Sequence, residues 1–195
     1  MSELPTALLQ TLTRTTNALR AAEVPFALAG GLGVYARGGP FSEHDVDVLI
    51  RAEDAETALK ALEGWGMTRS DPNEDWLVKA YDDGLLVDLL FRPNERPVRR
   101  ELLDEAEEIR VGPVSAPVMP ASFLLVDKLL VLGPHRCDLA GLLPVARALR
   151  EQVDWPRVRR ETAGSPYAEA FLLLVERLGV APESGTVRGE PGGPR

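Results

Sequence analysis

The sequence predicts an α/β core followed by a helical C-terminal part. Three observations carry this reading. Segments of helical and strand period alternate up to about residue 118. The run Asp45-Val46-Asp47-Val48-Leu49-Ile50 has period two and follows a glycine turn. Beyond Pro120 only helical periodicity remains. The expected division is residues 1–119 for the core, 120–181 for the helical part and 182–195 for a disordered tail rich in Gly and Pro.

The elements follow in order. Leu8, Leu12, Leu19 and Ala22 mark an amphipathic helix over about 5–22, ended by Glu23-Val24-Pro25. Phe26-Ala27-Leu28-Ala29 reads as a buried strand running into the Gly30-Gly31 turn. Leu32 to Ala36 form the first turns of a helix that Gly38-Gly39-Pro40 closes. After the Asp45–Ile50 strand, Ala52 to Leu62 has helix chemistry, with Gly64 and Gly66 as stops. Asp71-Pro72-Asn73 is a loop signal. Trp76–Tyr81 and Leu85–Phe91 form a hairpin across an Asp-Gly turn. Glu101–Glu108 reads as a short acidic helix. Ile109–Val118 reads as a strand or small hairpin around Gly112-Pro113. Ser122 caps a helix to Leu132, Asp138 caps another to about Gln152, and Pro166–Leu178 is the last.

The totals exclude several classes. At 195 residues, 45% of them hydrophobic, the chain can bury one sizeable core. No apolar run approaches the ~20 residues that cross a bilayer. The start lacks the pattern of a signal peptide, and a single cysteine, Cys137, excludes an internal disulfide framework. The cytoplasm is the expected compartment. A net charge of −8 disfavours a generic nucleic-acid coat. Two arginine groups stand out against it: Arg92, Arg96, Arg99 and Arg100, then Arg147, Arg150, Arg157, Arg159 and Arg160. They are either solvated charge or a contact surface for RNA.

The chemistry concentrates in carboxylates. On a strand, Asp45 and Asp47 point to one face, about 6.5–7 Å apart. Asp88 is a third acid within an apolar strand, on the face of Leu86 and Leu90. Uncompensated buried carboxylates are unfavourable, and the natural compensation is a divalent cation. Three such acids beside a glycine turn are the parts of a two-metal phosphoryl-transfer site. Glycines also let the backbone approach phosphate closely. Lys128 either snorkels at the edge of a core helix or neutralises phosphate. His44 precedes the acidic motif and either touches substrate or has no role. His135 and Cys137 lack an orienting third group, and two histidines with one cysteine do not make a zinc site. Trp65, Trp76 and Trp155 read as core or hinge packing.

These residues resemble the polymerase-beta-type nucleotidyltransferase superfamily, whose pattern is a glycine pair, an acidic-x-acidic strand and a later third acid. The match runs through Gly30-Gly31-Leu32, Asp45-Val46-Asp47 and Asp88 in Val87-Asp88-Leu89-Leu90. More narrowly, Val126-Asp127-Lys128-Leu129 and Arg136-Cys137-Asp138-Leu139 are similar to the AbiEii-type, toxin-like branch. The resemblance covers about residues 25–150. It implies a mixed sheet flanked by helices, an NTP donor, and Mg²⁺ or Mn²⁺ held by Asp45, Asp47 and Asp88. It gives Asp88 a further part in activating the acceptor hydroxyl, and assigns nucleotide contacts to Gly30, Gly31, Leu32, Lys128 and Asp138. Leu32 stands where many members have a serine.

The resulting expectation is a metal-dependent enzyme that moves NMP from an NTP to an acceptor hydroxyl. In the toxin-like branch the acceptor is the end of a tRNA, met here by Arg92, Arg96, Arg99, Arg100, Arg157, Arg159 and Arg160, and a cognate antitoxin would control it. The alternatives are transfer to a small molecule such as an antibiotic, a non-catalytic nucleotide- or partner-binding protein, and phosphoester hydrolysis.

Overall fold

The computed structural model describes residues 4–41, 45–70 and 72–183. His44, Asp71 and the tail from 184 onward lie outside the described residues. A seven-stranded mixed sheet forms the centre, in the order β3-β4-β5-β2-β1-β7-β6. Its strands are β1 (Phe26–Leu28), β2 (Val46–Ile50), β3 (Thr68–Ser70), β4 (Leu77–Asp82), β5 (Leu85–Leu90), β6 (Glu107–Val111) and β7 (Val114–Val118). Two pairings are parallel, β2 with β5 and β1 with β7; the others are antiparallel.

Period-two alternation divides the core between the two faces of this sheet. Val46, Val48, Ile50, Val87 and Leu89 pack with α1 (Thr6–Ala21) and α3 (Ala55–Gly64). Leu49, Leu77 and Leu90 face the opposite way, against α5 (Ala121–Leu130), α6 (Leu139–Leu149), α7 (Trp155–Glu161) and α8 (Pro166–Arg177). This second cluster holds strand residues such as Ala27 and Leu49 together with Phe123, Val158 and Phe171. Apolar packing is therefore continuous across position 120. The short α2 (Gly30–Ala36) leads from β1 towards β2, and Leu124 packs closely against Gly33.

The hairpin turn behaves as its sequence demands. Asp83 and Gly84 both take positive φ, at 49° and 86°, so β4 and β5 are joined by a two-residue turn.

Several local expectations differ from the structure. The acidic segment 101–108 is not one helix: α4 (Arg100–Leu103) is a single turn, and Glu107 and Glu108 begin β6. β6 is one of the sheet's two edge strands, where exposed charge is favourable. Ser122 does not cap α5. Its Oγ lies inside the first turn and accepts the Asp154 N–H at 2.8 Å, tying in the start of α7. α7 and the exposed edge strand β3 are further elements. Trp65 is 42% exposed at the end of α3, whereas Trp155 is buried.

Candidate functional site

Strand register brings the carboxylates together. Asp47 on β2 lies directly beside Asp88 on β5 in the parallel pair, and Asp45 immediately precedes β2. Ligand oxygens of Asp45, Asp47 and Asp88 all lie within 4.8 Å of one another. Among the described residues this is the one cluster of three metal-ligating side chains.

Gly30 makes the close approach possible. Its φ is +53°, and a Cβ there would fall 1.7 Å from Asp47 Oδ2. The backbone is fixed by Ala29 N–H donating to the Asp47 carbonyl at 3.0 Å and Gly33 N–H donating to the Ala29 carbonyl at 2.7 Å. Any side chain at Gly30 would displace the Asp47 carboxylate.

The electrostatics fit a cation. Asp88 is half-buried, and its Oδ1 is buried with no hydrogen-bond donor among the described residues. Burial pushes the Asp88 carboxyl up to about 6; Lys79 opposes this, while Asp45 and Glu74 add to it. An anionic oxygen left unsatisfied is costly unless a cation meets it, and hard carboxylate oxygens are what Mg²⁺, Mn²⁺ or Ca²⁺ prefer. The donor set therefore fits a divalent ion.

These acids open into a cleft of about 550 Å³. Gly30 and the three aspartates contribute its sheet side, and Asp127, Lys128, Val131 and Arg136 line it from α5 and the loop after it. Arg92 to Glu95 form the rim, where Asn94 and Glu95 have left-handed φ of 52° and 58°. Asn94 Nδ2 donates to Asp127 Oδ1 at 2.6 Å, fastening this rim to α5.

Of the sequence-predicted site residues, Asp45, Asp47, Asp88, Gly30 and Lys128 all line this cleft. Gly31 is buried beside it in the first turn of α2. Leu32 is not in the cleft: its side chain is 1% exposed and packs in the α1/α3 core. Asp138 is also absent from the cleft lining. It caps α6 by accepting the Gly141 N–H at 2.9 Å, and it lines a neighbouring cavity. Lys79, Asn94 and Arg136 were not among the predicted site residues. Lys79 was accessible, since a two-residue turn at 83–84 forces residue 79 opposite Asp88. Arg136 stood in the motif that pointed to Asp138.

The arginine groups are largely occupied in ion pairs. Arg92 meets Asp75 and Glu95, Arg96 meets Glu161, Arg100 meets Asp104, Arg157 meets Glu105 and Glu161, and Arg159 meets Glu176. The Arg96–Glu161–Arg157–Glu105 chain links the segment after β5 to α7, and Arg96 also stacks over Phe123 at 5.8 Å.

A mixed sheet with one acid on a strand, another immediately before it, a third on the parallel neighbour and a glycine turn beside them defines a nucleotidyltransferase-type fold. Solved structures agree on the fold. The antibiotic-resistance factor ANT(2'')-Ia, in complex with adenylyl-2''-tobramycin, superposes with a TM-score of 0.57 at 13% identity, covering 89% of this chain and 99% of its own. Its solution structure gives 0.55 at 14% identity, over 90% and 95% of the two chains. A lincosamide antibiotic adenylyltransferase, LnuA, bound to lincomycin, gives 0.51 at 13% identity, over 74% and 96%. No curated protein matches the sequence. Residues 4–178 match the family described as uncharacterised nucleotidyltransferase, and the chain belongs to that family. Among the described residues no helix is long and apolar enough to cross a membrane.

Proposed function

We propose that the protein transfers a nucleoside monophosphate from an NTP to an acceptor hydroxyl, with a divalent cation held by Asp45, Asp47 and Asp88. The observation that carries this reading is the convergence of those carboxylates within 4.8 Å beside Gly30, in a cleft that also presents Lys128 and Arg136. Bound Mg²⁺ or Mn²⁺ would neutralise the triphosphate and lower the pKa of the acceptor hydroxyl. The acceptor oxygen forms a bond to the α-phosphorus, and the bond from that phosphorus to pyrophosphate breaks. The hydroxyl proton passes to Asp88, the aspartate of the neighbouring strand that lines the same cleft. Lys128 and Arg136 bring positive charge to the same cleft, where it would meet the phosphates.

A second reading keeps the chemistry and assigns it to an AbiEii-type toxin acting on tRNA under control of an antitoxin. Arg136 on the cleft wall favours it. The consumption of Arg96, Arg157 and Arg159 in ion pairs weighs against an extended RNA face. Growth arrest on expression, relieved by Asp47→Ala, supports the toxin reading; unimpaired growth opposes it.

The central test is incubation with α-labelled NTPs, Mg²⁺ and pooled small-molecule and RNA acceptors. Labelled product that disappears in Asp47→Ala supports transfer. Nucleotide binding with no product in any pool would leave the non-catalytic alternative, and phosphate release without acceptor would favour hydrolysis.

A further inference from the structure

Among the described residues Trp76 is the one aromatic side chain that lines the aspartate cleft. Its sequence suggests core or hinge packing, and the structure leaves it half-buried at the cleft wall. It immediately precedes β4 and is tied to the end of β5: the Trp76 carbonyl accepts the N–H of Phe91 and of Arg92, both at 3.1 Å. The Arg92 guanidinium closes the same junction on Asp75 at 2.8 Å. From Asp88 to Phe91 is about 10 Å of extended chain. Pro93 follows, then Asn94 and Glu95 with left-handed φ, a conformation that costs a residue other than glycine energy. Trp76, Leu90 and Pro93 thus form a fixed apolar corner in a cleft whose other lining is mostly charged. The Trp76 indole N–H has no acceptor among the described residues, whereas that of Trp155 donates to the Arg150 carbonyl at 3.3 Å.

We infer that Trp76 is the platform on which the base of the donor nucleotide stacks, and that the protein therefore prefers purine to pyrimidine NTPs. The inference rests on the transfer reading above and names the donor class for it. An NTP has a flat ring at one end, a polyanion at the other and the reacting phosphorus between them. The cleft offers a counterpart to each: Trp76, Leu90 and Pro93 for the ring, the aspartates for the cation at the reacting phosphorus, and Lys128 with Arg136 for the phosphates. The span from Asp88 to Trp76 is within reach of a nucleoside monophosphate. Arg92, beside Trp76, is already paired with Asp75 and Glu95, so this corner has no spare positive charge to draw the phosphates towards it. Every base has a π-face, and stacking on an indole grows with the ring area overlapped, so a two-ring base gains more than a one-ring base. The backbone of Trp76 is already held, which lowers the cost of ordering it on binding.

The test measures binding and so needs no acceptor. The full chain with Mg²⁺ is titrated calorimetrically with the α,β-methylene analogues of ATP, GTP, CTP and UTP, and with tripolyphosphate, which has the charge but no base. Wild type should bind the better purine analogue at least fivefold more tightly than either pyrimidine analogue. Trp76→Ala should weaken purine binding at least tenfold and level the purine–pyrimidine difference, with tripolyphosphate affinity changed less than twofold. Trp76→Leu keeps apolar bulk without a flat face and should behave as Trp76→Ala does. Trp76→Phe should stay within threefold of wild type, and this second pair of variants decides the matter should the alanine variant not fold. Equal losses for nucleotide and tripolyphosphate would make Trp76 a support of the cleft and overturn the inference. Unchanged nucleotide binding in Trp76→Ala or Trp76→Leu, or no purine preference in wild type, overturns it while leaving the donor reading standing; absence of any nucleotide binding to wild type removes both.

Discussion

Two aspartates of the same hairpin have opposite fates. Asp82 ends β4 and is 4% exposed, buried against α1. Thr11 Oγ1 donates to its Oδ2 at 2.8 Å and the Arg14 guanidinium pairs with its Oδ1, while Arg14 also reaches the Trp65 carbonyl. Asp88, on β5, faces the other side of the sheet and has an oxygen with no donor. A carboxylate completed by its own protein is a fastening. One left incomplete at considerable electrostatic cost is a site waiting for a ligand. The difference teaches that burial alone does not mark function; the unmet hydrogen-bonding capacity does.

The largest expected effect lies on the incomplete side. Asp47→Ala removes a cation ligand and should reduce NMP transfer about a thousandfold or more, equivalent to some 4 kcal/mol of transition-state stabilisation. Its folding midpoint in urea should stay close to wild type. Transfer rates within tenfold of wild type would remove Asp47 from the cation site.

Next comes the complete side. Asp82→Ala strands Arg14 and Thr11 and should destabilise the fold by about 2–3 kcal/mol; a full buried-pair loss runs somewhat higher, and Arg14 is partly solvated. The kcat of the folded fraction should not change. A stability change under about 0.5 kcal/mol would erase the contrast between the two aspartates.

The same contrast shows what could be read from residues alone. The acids at 45, 47 and 88 were legible because period two fixes which side chains share a face, and because an acid amid Val, Leu and Ile is conspicuous. The fold class was legible from alternating periods. The adjacency of Asp47 and Asp88 was not, because parallel pairing between β2 and β5 is set by the crossover through α3, β3 and β4. The resemblance gave Leu32 a nucleotide contact, and helical rotation turns its side chain into the core, which leaves only its backbone for that contact. β3 and α7 were missed because each is short and buries little: Thr68-Arg69-Ser70 has no apolar face, and α7 buries only Trp155 and Val158. The caps of α7 were visible all the same, since Asp154 accepts the Arg157 N–H and Pro156 sits in the first turn.

A cation should sharpen the comparison on the stability scale. Saturating Mg²⁺ at about a hundredfold over its Kd adds about 2.7 kcal/mol to wild type, a rise of about 5–10 °C in Tm for a chain of this size. Asp82→Ala should retain that increment, and Asp47→Ala should lose most of it. An increment of equal size in wild type and Asp47→Ala would place the ion elsewhere.

The smallest expected effect is the most diagnostic, because its sign opposes the usual result of a mutation. Asp88 has its folded pKa raised from 3.8 to about 6. In the metal-free protein the folded state therefore holds this proton more tightly than the unfolded state. The stability it contributes is fully present below pH 3.8 and is lost as pH rises through about 6. Above that range the charged carboxylate is a net burden. Asp88→Asn keeps the shape and removes the charge, so at pH 7 the metal-free variant should be more stable than wild type by on the order of 1–2 kcal/mol, after discounting for partial solvation. The gain should shrink to nothing near pH 4, and Mg²⁺ should raise the Tm of wild type but not of the variant. Urea denaturation in chelator at pH 4 and pH 7 measures both arms. A variant less stable than wild type at pH 7 would mean that Asp88 already has its partner within the protein, as Asp82 does, and that the cleft was not shaped around a missing cation.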